Sequence, residues 1–125
     1  MKIKEIKNNK NIDYVLKIAN KFNIQTALNI KYYTNIIEFY ENNELIGIIN
    51  YHVCPIMDKY KMFIRSIHYL NITYLDQMIK LFIKTMKQNY VAIFTNIINE
   101  PFDKEVINIL LNNNFSGSEY IFLDY

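Results

Sequence analysis

The spacing of apolar residues along the chain predicts strands interspersed with helices. Apolar and charged residues alternate over positions 1–6, as in a half-buried strand. Five further segments are predicted as strands: 35–41, 44–53, 61–70, 90–97 and 118–125. Segment 90–97 is almost continuously apolar, which is typical of a strand buried on both faces.

Apolar residues at helical spacing predict three helices. Asn11 is a candidate N-cap for the first, Thr73 a cap and Asp76 a first-turn acid for the second, and Asn114 a left-handed end for the third. Residues 23–34 could form a short additional helix. The three apolar stripes are Ile12, Val15, Ile18, Ala19 and Phe22; Leu75, Met78, Ile79, Phe82, Ile83 and Met86; and Val106, Ile107, Leu110 and Leu111.

Turn signals separate the central strands. Asn42 and Asn43 form a two-residue hairpin turn, because their side chains tolerate the left-handed backbone that such a turn needs. Gly47 lies inside the next strand and indicates a bulge or a close approach by other backbone. Segment 54–60 contains Pro55 and is predicted as a loop.

The element order is β-α-(α)-β-β-β-α-β-α-β, which predicts an α+β fold with a mixed central sheet flanked by helices. Two architectures have this order: the fold of acyl-CoA-dependent acetyltransferases and an elaborated ferredoxin-like sandwich. No linker or repeat interrupts the chain, so residues 1–125 are expected to form a single domain.

Composition narrows the function classes. With 51% hydrophobic residues the chain can bury a core, and its net charge of +2 argues against a nucleic-acid-binding protein. No apolar run approaches the about 20 residues of a membrane span, so no membrane association is expected. A lone cysteine, Cys54, fits a reducing, cytoplasmic setting.

Two segments resemble the GNAT family of N-acetyltransferases. Residues 36–48 resemble its strand, tight polar turn and following strand with an internal glycine. Residues 110–115 are similar to the end of its last helix, where Asn114 replaces the usual glycine and Phe115 is retained. The order of elements also matches over essentially the whole chain. The resemblance implies the GNAT-like acyl-CoA acyltransferase fold.

The departures from the family pattern fall at positions of chemistry. The family's pyrophosphate-binding loop is rich in glycine, whereas the junction over residues 69–75 has no glycine, arginine or lysine. The position of the family's proton-donating tyrosine corresponds to Leu110, which cannot donate a proton. A helix start can nevertheless bind an anion through backbone N–H groups alone.

The resemblance implies a site for acetyl-CoA, as acyl donor, after the fourth strand. Its carbonyl would be polarised by a backbone N–H of residues 67–69, and its pyrophosphate would lie at amides of residues 71–74. The implied cofactor-binding residues are Ile67, His68, Tyr69, Asn71, Ile72, Thr73 and Tyr74.

Few side chains are candidates for catalysis. His68 could help deprotonate an amine, and alternation places it opposite Arg65 on the strand. Glu38 and His52 could line an acceptor site or form the solvated side of the sheet. His52, Cys54 and His68 lack a fourth ligand, so no metal site is predicted.

The predicted function is transfer of an acyl group, acetyl above all, from acyl-CoA to a primary amine of a small molecule or a protein. The alternative is a GNAT-like scaffold without catalysis that binds a protein partner or regulatory ligand, which the missing glycines favour. A ferredoxin-like module that forms a homodimer is the third possibility.

Overall fold

The computed structural model describes residues 1–24, 33–56, 59–89, 92–97, 104–115 and 122–124. The strands are β1 (Lys2–Ile6), β2 (Asn35–Glu41), β3 (Glu44–Ile56), β4 (Lys59–Tyr69), β5 (Ala92–Ile97) and β6 (Phe122–Asp124). The helices are α1 (Ile12–Lys21), α2 (Leu75–Asn89) and α3 (Lys104–Asn112), and a 3₁₀ turn over Ile72–Tyr74 leads into α2. None of the described helices is long and apolar enough to cross a membrane.

The six strands of the described residues form one sheet in sequence order, β1 to β6. Pairing is antiparallel throughout except between β4 and β5, which are parallel. A parallel pair needs a crossover connection, and α2 supplies it. The predicted mixed sheet is therefore confirmed.

Helices cover both faces of the sheet. On the face that we call the α1 face, Val15 and Ile18 pack with Ile36 and Ile48. On the opposite face, the α2 face, the whole predicted stripe of α2 is buried against the sheet. Leu110 of α3 is fully buried in the same cluster, so it acts as a core residue.

Gly47 lies where α2 approaches the sheet most closely. A Cβ at this position would overlap the thioether of Met78. The register of β2 against β3 also shifts between Phe39 and Tyr40, because Ile46 is an extra residue next to Gly47. The predicted bulge is confirmed, and so is the predicted close approach of backbone, because the His68 carbonyl oxygen would lie 3.1 Å from such a Cβ.

Asparagines take the positive backbone angles at turns and helix ends. Asn42 and Asn43 have φ of 50° and 65°, as the predicted hairpin turn requires. Asn114, with φ of 70°, follows the C-cap of α3, and the Phe115 N–H donates to the Leu110 carbonyl at 3.1 Å. This is a Schellman motif, and the buried side chains of Phe115 and Leu110 belong to one cluster.

Two predictions of local structure need correction. Segment 54–60 is largely strand, since β3 runs to Ile56 and β4 begins at Lys59. β2 pairs with β3 only as far as Tyr51, so Pro55 removes no ladder hydrogen bond on that side. The cap before α2 is Asn71 and not Thr73. The possible helix over 23–34 falls mostly on residues 25–32, outside the described part of the chain.

Candidate functional site

The second half of β4 continues past its parallel neighbour. Pairing of β4 with β5 runs from Tyr60 to Ile64. The register against β3 shifts at the same place, and Arg65 is the extra residue. Because a bulge interrupts the alternation of side chains, the predicted opposition of Arg65 and His68 does not follow from their spacing. The bulge marks the point where β4 leaves the parallel pairing.

Backbone N–H groups beyond this bulge alternate in direction. The Leu70 N–H donates to the Ile46 carbonyl at 3.0 Å, so the His68 N–H, two residues earlier, also points toward β3. The N–H of Ile67 therefore points to the other side, where β5 lies. A fixed backbone donor at this position can polarise the carbonyl oxygen of a thioester.

Asn71 occupies the start of the helical segment after β4. Its side-chain oxygen accepts hydrogen bonds from the N–H and the hydroxyl of Thr73, each at 3.0 Å. Its backbone carbonyl accepts from the Tyr74 N–H at 3.1 Å. A pyrophosphate here would compete with Asn71 for two of the amides predicted to bind it. The edge of β4 thus suits a thioester carbonyl better than this helix start suits a pyrophosphate.

Three polar side chains meet on the α1 face at β3 and β4. His68 pairs with Ile48, and Ser66 pairs with Asn50, so all three lie on one face in adjacent positions. Asn50 Oδ1, Ser66 Oγ and His68 Nε2 are buried and have no hydrogen-bond partner among the residues that the structure describes. Such atoms are rare in folded proteins. We call these three residues the Asn50–Ser66–His68 cluster.

Aromatic rings border the cluster. The ring of Phe22, at the end of α1, lies 6.5 Å from the His68 ring, measured between centroids. Tyr33 is buried, which raises the pKa of its phenol, and a loose hydrogen-bond contact with the Ser66 hydroxyl, short of good geometry, acts in the opposite direction. The cluster is therefore a small group of polar side chains surrounded by aromatic and aliphatic side chains on the α1 face.

Burial determines the charge of His68. It lowers the pKa of the imidazole to about 4, because the charged form loses hydration. At neutral pH the ring is uncharged and can accept a hydrogen bond. A base with so low a pKa removes a proton from an amine inefficiently. The predicted role of His68 as a base remains a prediction.

Glu38 is buried. The alternative that Glu38 belongs to the solvated side of the sheet is therefore wrong. Its carboxylate accepts hydrogen bonds from the hydroxyls of Tyr14 at 2.9 Å and Tyr40 at 3.0 Å. Burial, together with this carboxylate, raises the pKa of both phenols. The Tyr14 contact joins α1 to the sheet, whereas the Tyr40 contact lies within β2. Ile48 separates Glu38 from His68 in the register.

The remaining candidates lie apart from this arrangement. His52 and Cys54 are half-buried on the outer part of β3, beyond the bulge. Among the described residues, no group of three or more His, Cys, Asp or Glu side chains could hold a metal ion.

Sequence patterns miss Asn50 and Ser66. The chain contains 18 asparagines, so a single one attracts no attention. One feature of the sequence could have pointed to them. In an alternating strand, each is a polar residue at a position where an inward-facing apolar side chain is expected.

Comparison with known proteins identifies the fold. No family model and no curated protein matches the sequence. Naa50 of Arabidopsis thaliana, solved with the bisubstrate analogue CoA-Ac-MVNAL, matches 99% of this chain and 96% of its own, with a TM-score of 0.66 and 11% identity. TTHA1254 of Thermus thermophilus matches 97% of this chain and 93% of its own, also with a TM-score of 0.66 and 11% identity.

These likenesses confirm the predicted fold class. The chain has the GNAT-like acyltransferase fold, a mixed sheet flanked by helices. The ferredoxin-like alternative is thereby set aside.

Proposed function

We propose that this protein transfers an acyl group, acetyl in the simplest case, from acyl-CoA to a primary amine of a small molecule or a protein. The observation that carries the proposal is the bulged β4, which leaves its parallel pairing at Ile64 and directs the Ile67 N–H toward the β5 side. The fold shared with Naa50, whose bound analogue joins CoA, an acetyl group and a peptide, supports it.

The reaction needs positioning more than side-chain chemistry. The nitrogen of a neutral amine attacks the thioester carbonyl, whose oxygen would be held by the backbone N–H of Ile67. The carbon–nitrogen bond forms, the carbon–sulfur bond breaks, and the electron pair leaves with the thiolate of CoA. The amide nitrogen loses one proton and the thiolate gains one. The products are an amide and free CoA.

A second candidate function rests on the helix start. Because Asn71 engages the Thr73 N–H, a pyrophosphate has fewer available amides than an open helix start offers. This observation favours a scaffold that no longer binds CoA and acts through a protein partner.

The unfolding midpoint of the protein with millimolar acetyl-CoA, CoA or ATP separates these functions. Ligand at about 100 times its dissociation constant adds about 2.7 kcal/mol of stability, which corresponds to a rise of several degrees. A rise with acetyl-CoA and CoA but not with ATP supports the transferase. No rise with any of the three overturns the transferase and favours the scaffold.

An assay of CoA release then tests the chemistry. We expect free thiol to accumulate faster when a primary amine is added to protein and acetyl-CoA. The matched tertiary amine cannot form a stable amide and is the control.

A further inference from the structure

We propose that the Asn50–Ser66–His68 cluster binds the primary ammonium group of the acyl acceptor. The inference rests on the proposed function, whose acceptor site it assigns to side chains. The cluster combines burial, lack of partners and a position beside the predicted acyl site.

The first argument is the free energy of folding that is lost when the polar atoms of the cluster are buried without hydrogen bonds. Asn50 is only 2% exposed, and Asn50 Oδ1 and His68 Nε2 lack a partner in the described part of the chain, whereas Ser66 Oγ has only a loose contact with the Tyr33 phenol. An unpaired buried polar atom destabilises the folded state, since it has lost hydration without regaining a hydrogen bond. A bound ligand, or an ordered water, that accepted or donated hydrogen bonds here would remove this penalty.

The second argument is the chemistry of these atoms. An amide oxygen and a hydroxyl oxygen accept hydrogen bonds, as does the ring nitrogen of a neutral histidine. Three acceptors match the three N–H donors of a primary ammonium group. The aromatic rings of Phe22 and Tyr33 beside the cluster suit the methylene groups that carry the nitrogen.

The third argument is location. Ser66 and His68 flank Ile67, whose N–H is the donor proposed for the thioester oxygen. A nitrogen held by these two side chains lies within one residue of that donor along β4. The amine and the acyl group would thus meet at the same strand.

The test is a titration followed by ¹⁵N NMR of the histidine side chains, with and without CoA. Propylammonium is the probe, and tetramethylammonium, a cation without N–H donors, is the control. We expect a saturable shift of His68 Nε2 with propylammonium only. His52 is the internal reference, because it lies on the other side of the bulge.

Variants separate ligand binding from folding. Asn50→Leu and Ser66→Ala should each weaken propylammonium binding about tenfold, the effect of one lost hydrogen bond to a charged group. Asn50→Leu should not lower the urea midpoint, because it replaces an unpaired polar group by an apolar one. Asn20→Leu, on the exposed side of α1, is the matched control and should leave binding unchanged.

Three outcomes would overturn the inference. No saturable shift of His68 would mean that the cluster holds at most a buried water. Equal shifts with both cations would mean that charge and not N–H donors is recognised. Unchanged binding in Ser66→Ala would remove the cluster as the site even if Asn50→Leu fails to fold. If propylammonium binds but CoA does not shift the unfolding midpoint, the cluster is an ammonium-binding site, but the transferase function and the acceptor role of the cluster both fail.

Discussion

The side chain of Asn71 accepts two hydrogen bonds from Thr73, one from its N–H and one from its hydroxyl, each at 3.0 Å. The cap stabilises the helix start but uses an amide that a pyrophosphate could bind. The hydrogen bonds of Asn71 thus stabilise the helix start but weaken its capacity to bind a pyrophosphate.

Replacing Asn71 should expose this conflict. Asn71→Gly frees the Thr73 N–H, so we expect tighter CoA binding, at a cost of about 0.3 kcal/mol in stability. Isothermal titration with CoA measures the change. Asn11→Gly removes the equivalent cap of α1 and is the matched control. Equal CoA affinities in wild type and Asn71→Gly would show that this helix start does not bind the pyrophosphate.

Stability should fall in mild acid because of His68. Burial lowers its folded pKa to about 4, whereas an unfolded histidine titrates near about 6.5. The unfolded chain therefore takes up a proton between these values that the folded chain does not, so the stability present above about pH 6.5 is lost as the pH falls. The loss amounts to about 2 kcal/mol at about pH 5.

Urea unfolding at neutral and mildly acidic pH measures this loss. In His68→Gln the free energy of unfolding should change less between the two conditions, because the titrating group is gone. An identical acid dependence in wild type and variant would contradict the assignment to His68.

Alkaline pH should weaken the contact between α1 and the sheet. The pKa of Tyr14 is raised by burial and by its hydrogen bond to Glu38, so above about pH 10 the unfolded phenol ionises first and stability declines. Tyr14→Phe should cost about 1.5–3 kcal/mol at neutral pH, as for a hydrogen bond to a charged group. Its alkaline decline should be shallower than that of wild type, and parallel curves in urea unfolding would refute the assignment.

Two substitutions of Asn114, at the end of α3, should change stability differently because of the positive φ of this residue. Asn114→Ala forces a Cβ-bearing residue without a polar side chain into φ of 70° and should lower stability by about 1 kcal/mol. Asn114→Gly should keep wild-type stability or exceed it. Asn108→Ala, on the exposed side of the same helix, should be neutral or stabilising. Thermal unfolding of the three variants checks these signs, and a loss of stability in Asn114→Gly would contradict the argument.

Structural features that depend only on residues close together along the chain were predictable from the sequence. The turn at Asn42 and Asn43 and the left-handed Asn114 follow from side chains that tolerate positive φ. The buried stripe of α2 follows from helical spacing alone. In each case the relevant physics acts over a few residues, so the local pattern determines the outcome.

Tertiary pairing alone decided the features that define the candidate site. The bulge at Arg65, the end of β5 pairing at Ile64 and the strand conformation of Pro55 depend on which segments become neighbours. The Asn50–Ser66–His68 cluster likewise joins residues of two strands whose local patterns do not mark them. A sequence thus determines the type and order of its elements through local spacing, whereas the register between distant strands decides which polar atoms are buried together.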